Sequence, residues 1–123
     1  MYIRQIVTSI LFLVVFSSGY AHAEASADFK ASCQKTTASL TESVYLTKYT
    51  ADTTSRHTGI FITDSSGTSR FIPGAEYYPD NYVVAELRKI ALAAVMSGVK
   101  VNICAKKGQG SLAEVWAIEL DSQ

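Results

Sequence analysis

Charge of one sign is what this chain most plainly lacks. Eleven Lys and Arg stand against eleven Asp and Glu, so there is no basic field of the kind that nucleic acid requires, and no acidic tail. Histidine and cysteine are almost as scarce, at two each, and with one histidine, His22, among the first 23 residues, a Cys and His metal cluster has too few ligands to form. Two prolines and a single tryptophan leave few helix breakers and few large stacking surfaces. Beyond residue 16 no apolar run is long enough to span a membrane, and neither internal repeats nor low-complexity segments occur.

What is there begins with MYIRQIVTSILFLVVFSSGYAHA: a basic start at Arg4, an apolar run over residues 6–16, and small residues ending in Ala21-His22-Ala23. This is the pattern of a secretory signal, with cleavage expected after Ala23 and export through the periplasm. Loss of Arg4 takes the balance from eleven against eleven to ten basic against eleven acidic groups in residues 24–123. That remainder has the length of one domain. Both cysteines, Cys33 and Cys104, fall within it, and an exported chain meets oxidising conditions, so a single disulfide between them is expected. It would close a loop of roughly seventy residues and stabilise the fold by about 4 kcal/mol.

Residues 80–99, DNYVVAELRKIALAAVMSGV, form the one long segment whose periodicity is helical throughout. Asp80 or Asn81 can cap its start and Gly98 its end. Val83, Val84, Leu87, Ile90, Ala91, Ala94 and Val95 make a wide apolar face. A second, narrower patch of Ala85, Leu92 and Met96 lies away from that face, flanked by Arg88 and Lys89, while Tyr82, Glu86, Lys89, Ala93 and Ser97 form a small or polar stripe. Two readings stand for the patch: a seam against a neighbouring subunit, or a core helix carrying tolerated surface apolars.

Around this helix the chain reads as strands. Residues 38–46 alternate Leu40, Val44 and Leu46 with Thr41, Ser43 and Tyr45, and residues 48–53 continue extended. A polar loop over 53–59 follows. Residues 59–63 and 69–72 make a hairpin across Asp64-Ser65-Ser66-Gly67, where the glycine supplies the positive φ. Beyond the helix, residues 99–104 and 112–120 alternate again, the last strand placing Trp116, Ile118 and Leu120 on one side and Ala113, Val115 and Ala117 on the other. Before the first strand, Asp28-Phe29-Lys30-Ala31 suffices for one helical turn. The expected fold is mainly β with one long helix, a small Greek-key barrel of the OB-fold type, with an open sheet under one helix as the alternative.

Chemistry has little to build on. His57 sits in the polar loop with no nucleophile motif near it, and the carboxylates are scattered singly, so neither an enzyme nor a cofactor is expected. A binding module fits better: Thr36-Thr37 and Thr53-Thr54-Ser55, near His57-Thr58, carry short hydroxyls suited to sugars, although Thr and Ser also serve simply as exposed strand and loop residues. Trp116, Tyr45 or Tyr78 could stack on a sugar, yet Trp116 alternates with apolar residues as a core or interface residue does. Nucleic acid is not an expected partner.

Five segments, CQKTTASL (33–40), LTKYTAD (46–52), YYPDN (77–81), AELRKIALAAVMSGVKVNICA (85–105) and VWAIELD (115–121), closely resemble the B subunits of type II heat-labile enterotoxins, relatives of cholera toxin. The resemblance runs over nearly all of residues 24–123 in the same order, with both cysteines in place. It implies an OB-fold subunit of a homopentameric ring whose long helices surround a pore. An ADP-ribosyltransferase A subunit docks on that ring, and the ring recognises host-cell gangliosides without itself being catalytic. By the same resemblance Thr36, Thr37 and the position of His57 bind ganglioside, and Glu86, Arg88, Lys89, Leu92 and Met96 belong to the pore and subunit interface. His57 departs from the Thr of the relatives, which would retune ganglioside choice and add pH dependence near neutrality. The chain also lacks the stacking Trp that the cholera-type branch places just after its second cysteine; Ala105-Lys106-Lys107 stands there instead. A secreted oligomeric scaffold without glycan recognition is the competing function.

Overall fold

The structure is a computed structural model that describes residues 25–54, 58–74, 81–108 and 112–121. In chain order these form α1 (Ala27–Gln34), β1 (Ser39–Val44), β2 (Leu46–Asp52), β3 (Gly59–Asp64), β4 (Ser69–Ile72), α2 (Asn81–Ser97), β5 (Lys100–Lys107) and β6 (Ala113–Asp121). All the strands belong to one six-stranded sheet in the order β1-β5-β6-β4-β3-β2. Every pairing is antiparallel except β4 with β6.

Mainly β with one long helix is therefore right, and the closed barrel is not: among the described residues no ladder joins the edge strands β1 and β2. It is nevertheless strongly curled. Arg70 on β4 reaches Thr41 on β1 at 3.4 Å although β5 and β6 lie between those strands in the order.

The bend that lets β1 leave one edge and β2 enter the other is local. Ser43 adopts φ +58, a left-handed conformation uncommon for a residue with a Cβ, and the β1–β5 register slips between Thr41 and Val44. Ser43 N–H donates to Asn102 Oδ1 at 2.9 Å, which holds the bulge in place. Simple alternation over residues 38–46 missed this break because a bulge inserts a residue without changing composition. The same device recurs on β6. The β5 partners of Ala117 and Val115 are Cys104 and Ala105, so Trp116 is the extra residue. Val115 and Ile118 consequently share the buried face, and Trp116 and Leu120 stand exposed, which corrects the expected grouping of Trp116 with Ile118.

Helix α2 lays Val84, Leu87, Ala91 and Ala94 against Leu46, Ile62, Ile72, Val101, Ile103, Val115 and Ile118. Its packing partners in the sheet are β2, β4 and β6. Ile90 and Val95 flank the contact as expected; Val83, at the rim of the apolar arc in the first turn, stays 43% exposed. Gly98 ends the helix at φ +70, its N–H bonded to Ala94 O at 3.0 Å, the left-handed cap that glycine allows without a Cβ clash. Gly67 turns the β3–β4 hairpin at φ +90.

Strand β5 is buried on both faces, with Val101 to Ala105 all inaccessible. Val101, Ile103 and Ala105 face the core under α2. Cys104 joins Cys33 of α1 in the expected disulfide, 71 residues apart, which fastens α1 to the other face. Helix α1 is longer than the single turn expected, because Ser26 Oγ accepts from Phe29 N–H at 3.3 Å and the disulfide fixes its other end.

Candidate functional site

The turn between α1 and β1 holds Thr36 and Thr37 and is fixed from within. Cys33 O accepts from both Thr36 N–H at 3.0 Å and Thr36 Oγ1 at 2.6 Å, and Thr36 Oγ1 accepts in turn from Ala38 N–H at 3.0 Å. Thr36 is thus committed to shaping the turn. Thr37 is exposed at its tip, four residues after the Cys33 that the disulfide ties to β5.

His57, the third expected ligand residue, lies outside the described residues, as do Ser55, Arg56 and Tyr78. The ends of that loop are described: Thr54 N–H donates to Asp52 Oδ1 at 2.8 Å, and Thr58 Oγ1 donates to Thr54 O at 2.8 Å. Of the other aromatics, Tyr45 has the Lys100 ammonium 5.3 Å from its ring centre, and Trp116 Nε1 donates to Glu114 Oε2 at 2.8 Å. Both rings are partly exposed on the outside of the sheet.

Beneath α1 lies a polar network that reasoning from the sequence missed. Asn102, fully buried, donates from Nδ2 to Glu119 Oε1 at 3.0 Å while its Oδ1 receives the bulge at Ser43. Glu119 also accepts from Ser26 N–H at 3.0 Å and Ser26 Oγ at 2.6 Å, and Glu42 accepts from Ala25 N–H at 2.8 Å. Burial raises the Glu119 pKa, but the bonds from Ser26 and Asn102 outweigh it and hold the carboxyl below its ordinary value. The network docks the start of α1 onto β1, β5 and β6 and so sets where the Thr36-Thr37 turn stands. Only a polar Asn within an otherwise apolar strand could have signalled it.

A second buried pair sits at the β3–β4 hairpin. Arg70 Nη1 donates to Asp64 Oδ2 at 2.9 Å, both side chains being nearly inaccessible. Ser66 Oγ, Ser66 N–H and Thr68 N–H converge on Asp64 Oδ1 at 2.6, 2.9 and 3.1 Å. Burial opposes the Asp64 charge, and these donors more than offset it, so its pKa is lowered.

On the side of α2 away from the core, Leu92 is 43% and Met96 79% exposed, and Ala85 is half-buried beside them. Lys89 Nζ pairs with Glu86 Oε1 at 3.0 Å on the surface, and Arg88 is half-buried at the margin. Among the described residues no group of three His, Cys, Asp or Glu could hold a metal ion, and no helix is long and apolar enough to cross a membrane.

The arrangement offers hydroxyls, a fixed turn and an unpartnered apolar helix stripe. Comparisons with known proteins agree in direction. The family model for the type II heat-labile enterotoxin B subunit matches residues 1–123. The B chains of heat-labile enterotoxins IIB and IIA of Escherichia coli are 43% and 38% identical over 120 residues, covering 98% of this chain and 98% and 97% of theirs. Among solved structures, the GM1-bound form of the ECX AB5 holotoxin superposes with a TM-score of 0.64 at 18% identity, over 80% of this chain and 99% of that one.

Proposed function

This chain belongs to the type II heat-labile enterotoxin B-subunit family, and from that premise we propose that it is the non-catalytic receptor-binding subunit of a secreted toxin. Cleaved after Ala23, it assembles as a homopentamer, binds sialylated glycolipids, the gangliosides, on host cells, and carries an ADP-ribosylating A subunit on its ring. The observation that carries this reading is the Thr36-Thr37 turn, locked by the Cys33–Cys104 disulfide and presenting Thr37 to solvent. That a solved relative of the fold is bound to GM1 supports the ligand class. Multivalency supplies the strength: several modest sites engaging one membrane together bind far more tightly than any one alone.

In this assembly Leu92 and Met96 with Arg88 press on the neighbouring subunit, and Glu86, Lys89 and Ser97 line the channel. Their exposure on α2 supports the assignment, because a large apolar stripe left wet is costly in a lone subunit. His57 completes the glycan contact from the loop after β2. A glycolipid array probed with the purified oligomer tests the reading. Wild type should bind gangliosides, Thr37→Ile should lose that binding with the oligomer intact, and His57→Thr should change the rank order of the gangliosides bound. An intact oligomer binding no glycan would instead support a carrier ring without glycan recognition.

A further inference from the structure

Helix α1 is held almost without apolar packing. Of its eight residues only Cys33 is buried, with Phe29 and Lys30 half-buried. The disulfide to Cys104 fastens its far end, and hydrogen bonds to two carboxylates fasten its near end: Ser26 N–H and Oγ to Glu119, and Ala25 N–H to Glu42. Lys30 adds only a loose pair with Glu42 at 3.7 Å, both side chains being partly exposed. A helix pinned at two ends takes its direction from both, so the carboxylates decide the tilt of α1 about the disulfide.

That tilt reaches the turn. Carbonyls in the last turn of a helix point along its axis and out of its end, and Cys33 O is the one that accepts from Thr36 N–H and Thr36 Oγ1. On the other side of the turn, Ser39 opens β1 and is held in the sheet opposite Ala105. With β1 fixed, a swing of α1 is taken up over residues 34–38, where Thr36 and Thr37 stand.

Both carboxylates trace back to one side chain. Asn102 Nδ2 donates to Glu119 Oε1 at 3.0 Å, and Asn102 Oδ1 accepts from Ser43 N–H at 2.9 Å. Glu42 precedes Ser43 inside the register slip of β1, so the amide that holds Glu119 also fixes the backbone from which Glu42 extends. Asn102 is fully buried, and its amide has one usable orientation: turned over, its NH2 would face the Ser43 N–H and its carbonyl the Glu119 carboxylate. We propose that Asn102 is a positioning residue for the Thr36-Thr37 turn, setting through Glu119 and Glu42 the tilt of α1 and so the direction of the carbonyl on which the turn hangs. The consequence for glycan binding rests on the reading of that turn as the receptor site.

Asn102→Asp is the sharpest probe. It is isosteric and keeps an oxygen for the Ser43 N–H, but it sets a second carboxylate against Glu119 and breaks the bond beneath α1. Amide exchange at Thr36 and Ala38 should quicken about fivefold, the worth of one lost hydrogen bond, and ganglioside-coated surfaces should bind the purified oligomer more weakly by a similar factor at unchanged native mass. Adding Glu119→Gln should recover most of both, because the new carboxamide can donate to the introduced carboxylate and still accept from the Ser26 hydroxyl. Leu87→Ala, which weakens the core from the opposite face of the sheet, should lower the melting temperature and leave exchange in the turn and ganglioside binding as they are. Ser26→Ala removes a bond from an exposed position that the sheet does not need for folding, and should loosen the turn in the same sense as Asn102→Asp. Unchanged exchange at Thr36 and Ala38 in both variants, or a loosening that Leu87→Ala reproduces, would overturn the assignment. Faster exchange with ganglioside binding intact, or in an oligomer that binds no ganglioside at all, keeps Asn102 as the support of the turn and sinks the receptor reading instead.

Discussion

At the scale of single residues, the two threonines of the first turn are not equivalent. Thr36 spends its hydroxyl on Cys33 O and Ala38 N–H, so Thr36→Ile removes two turn-shaping bonds along with any ligand contact. Thr37→Ile removes only an exposed hydroxyl and is the cleaner probe. Thr36→Ser should retain ganglioside binding because it keeps the turn, which a surface-binding assay reads directly. Asn102 is the residue on which the amino-terminal docking depends. Asn102→Ala strands the Ser43 N–H and deprives Glu119 of a donor, and should cost about 1–3 kcal/mol in chemical denaturation. Glu119 and Asp64 both have lowered pKa values in the folded chain, so each contributes stability that is present above its ordinary value, 4.5 and 3.8 respectively, and lost as pH falls through the folded value. Melting temperature should therefore hold at neutral pH and drop once the pH passes below those values. Glu119→Gln should shallow that acid slope; an unchanged slope would mean the carboxylate carries no linkage.

At the scale of elements, α2 was the most legible feature of the sequence, and the reason is physical. A long periodic segment with a glycine stop is decided by local interactions, and burial of Val84, Leu87, Ala91 and Ala94 follows from the period alone. The strands were legible in position but not in facing, because the bulges at Ser43 and Trp116 shift the parity of side chains without leaving a mark in composition. Double burial of β5 was equally hidden, since it depends on α1 arriving from the far end of the chain through a disulfide 71 residues long in sequence. Replacing both cysteines by serine should cost about 4 kcal/mol and release α1, measurable as a lowered melting temperature with loss of amide protection in Ala27–Gln34. The two faces of α2 can be told apart in the same way. Leu87→Ala should destabilise the subunit by about 2–5 kcal/mol, as a core truncation does. Leu92→Glu should leave the subunit's stability nearly unchanged and impair assembly instead; a collapse of subunit stability would place Leu92 in the core.

At the scale of the whole molecule, a curled sheet whose edge strands β1 and β2 have no further strand partner among the described residues, an exposed stripe on its longer helix and a fixed hydroxyl-bearing turn are features that suit the proposed assembly. Open edges left unpaired invite association, and an assembling protein turns that liability into an interface. The family was legible in the sequence because its resemblance is spread over many short segments. The Asn102 network was not, because it joins residues distant in sequence; nor was the Asp64–Arg70 pair, six residues apart across one hairpin, because nothing in the local pattern marks its burial. The most direct test of the central claim is surface plasmon resonance of the purified oligomer over vesicles with and without ganglioside, with the native mass of the same sample recorded. The account predicts a pentamer that binds ganglioside vesicles, dissociates slowly and ignores bare ones, with Thr37→Ile abolishing the signal at unchanged mass. A pentamer indifferent to ganglioside, or a monomer that binds as well as the ring, would contradict it.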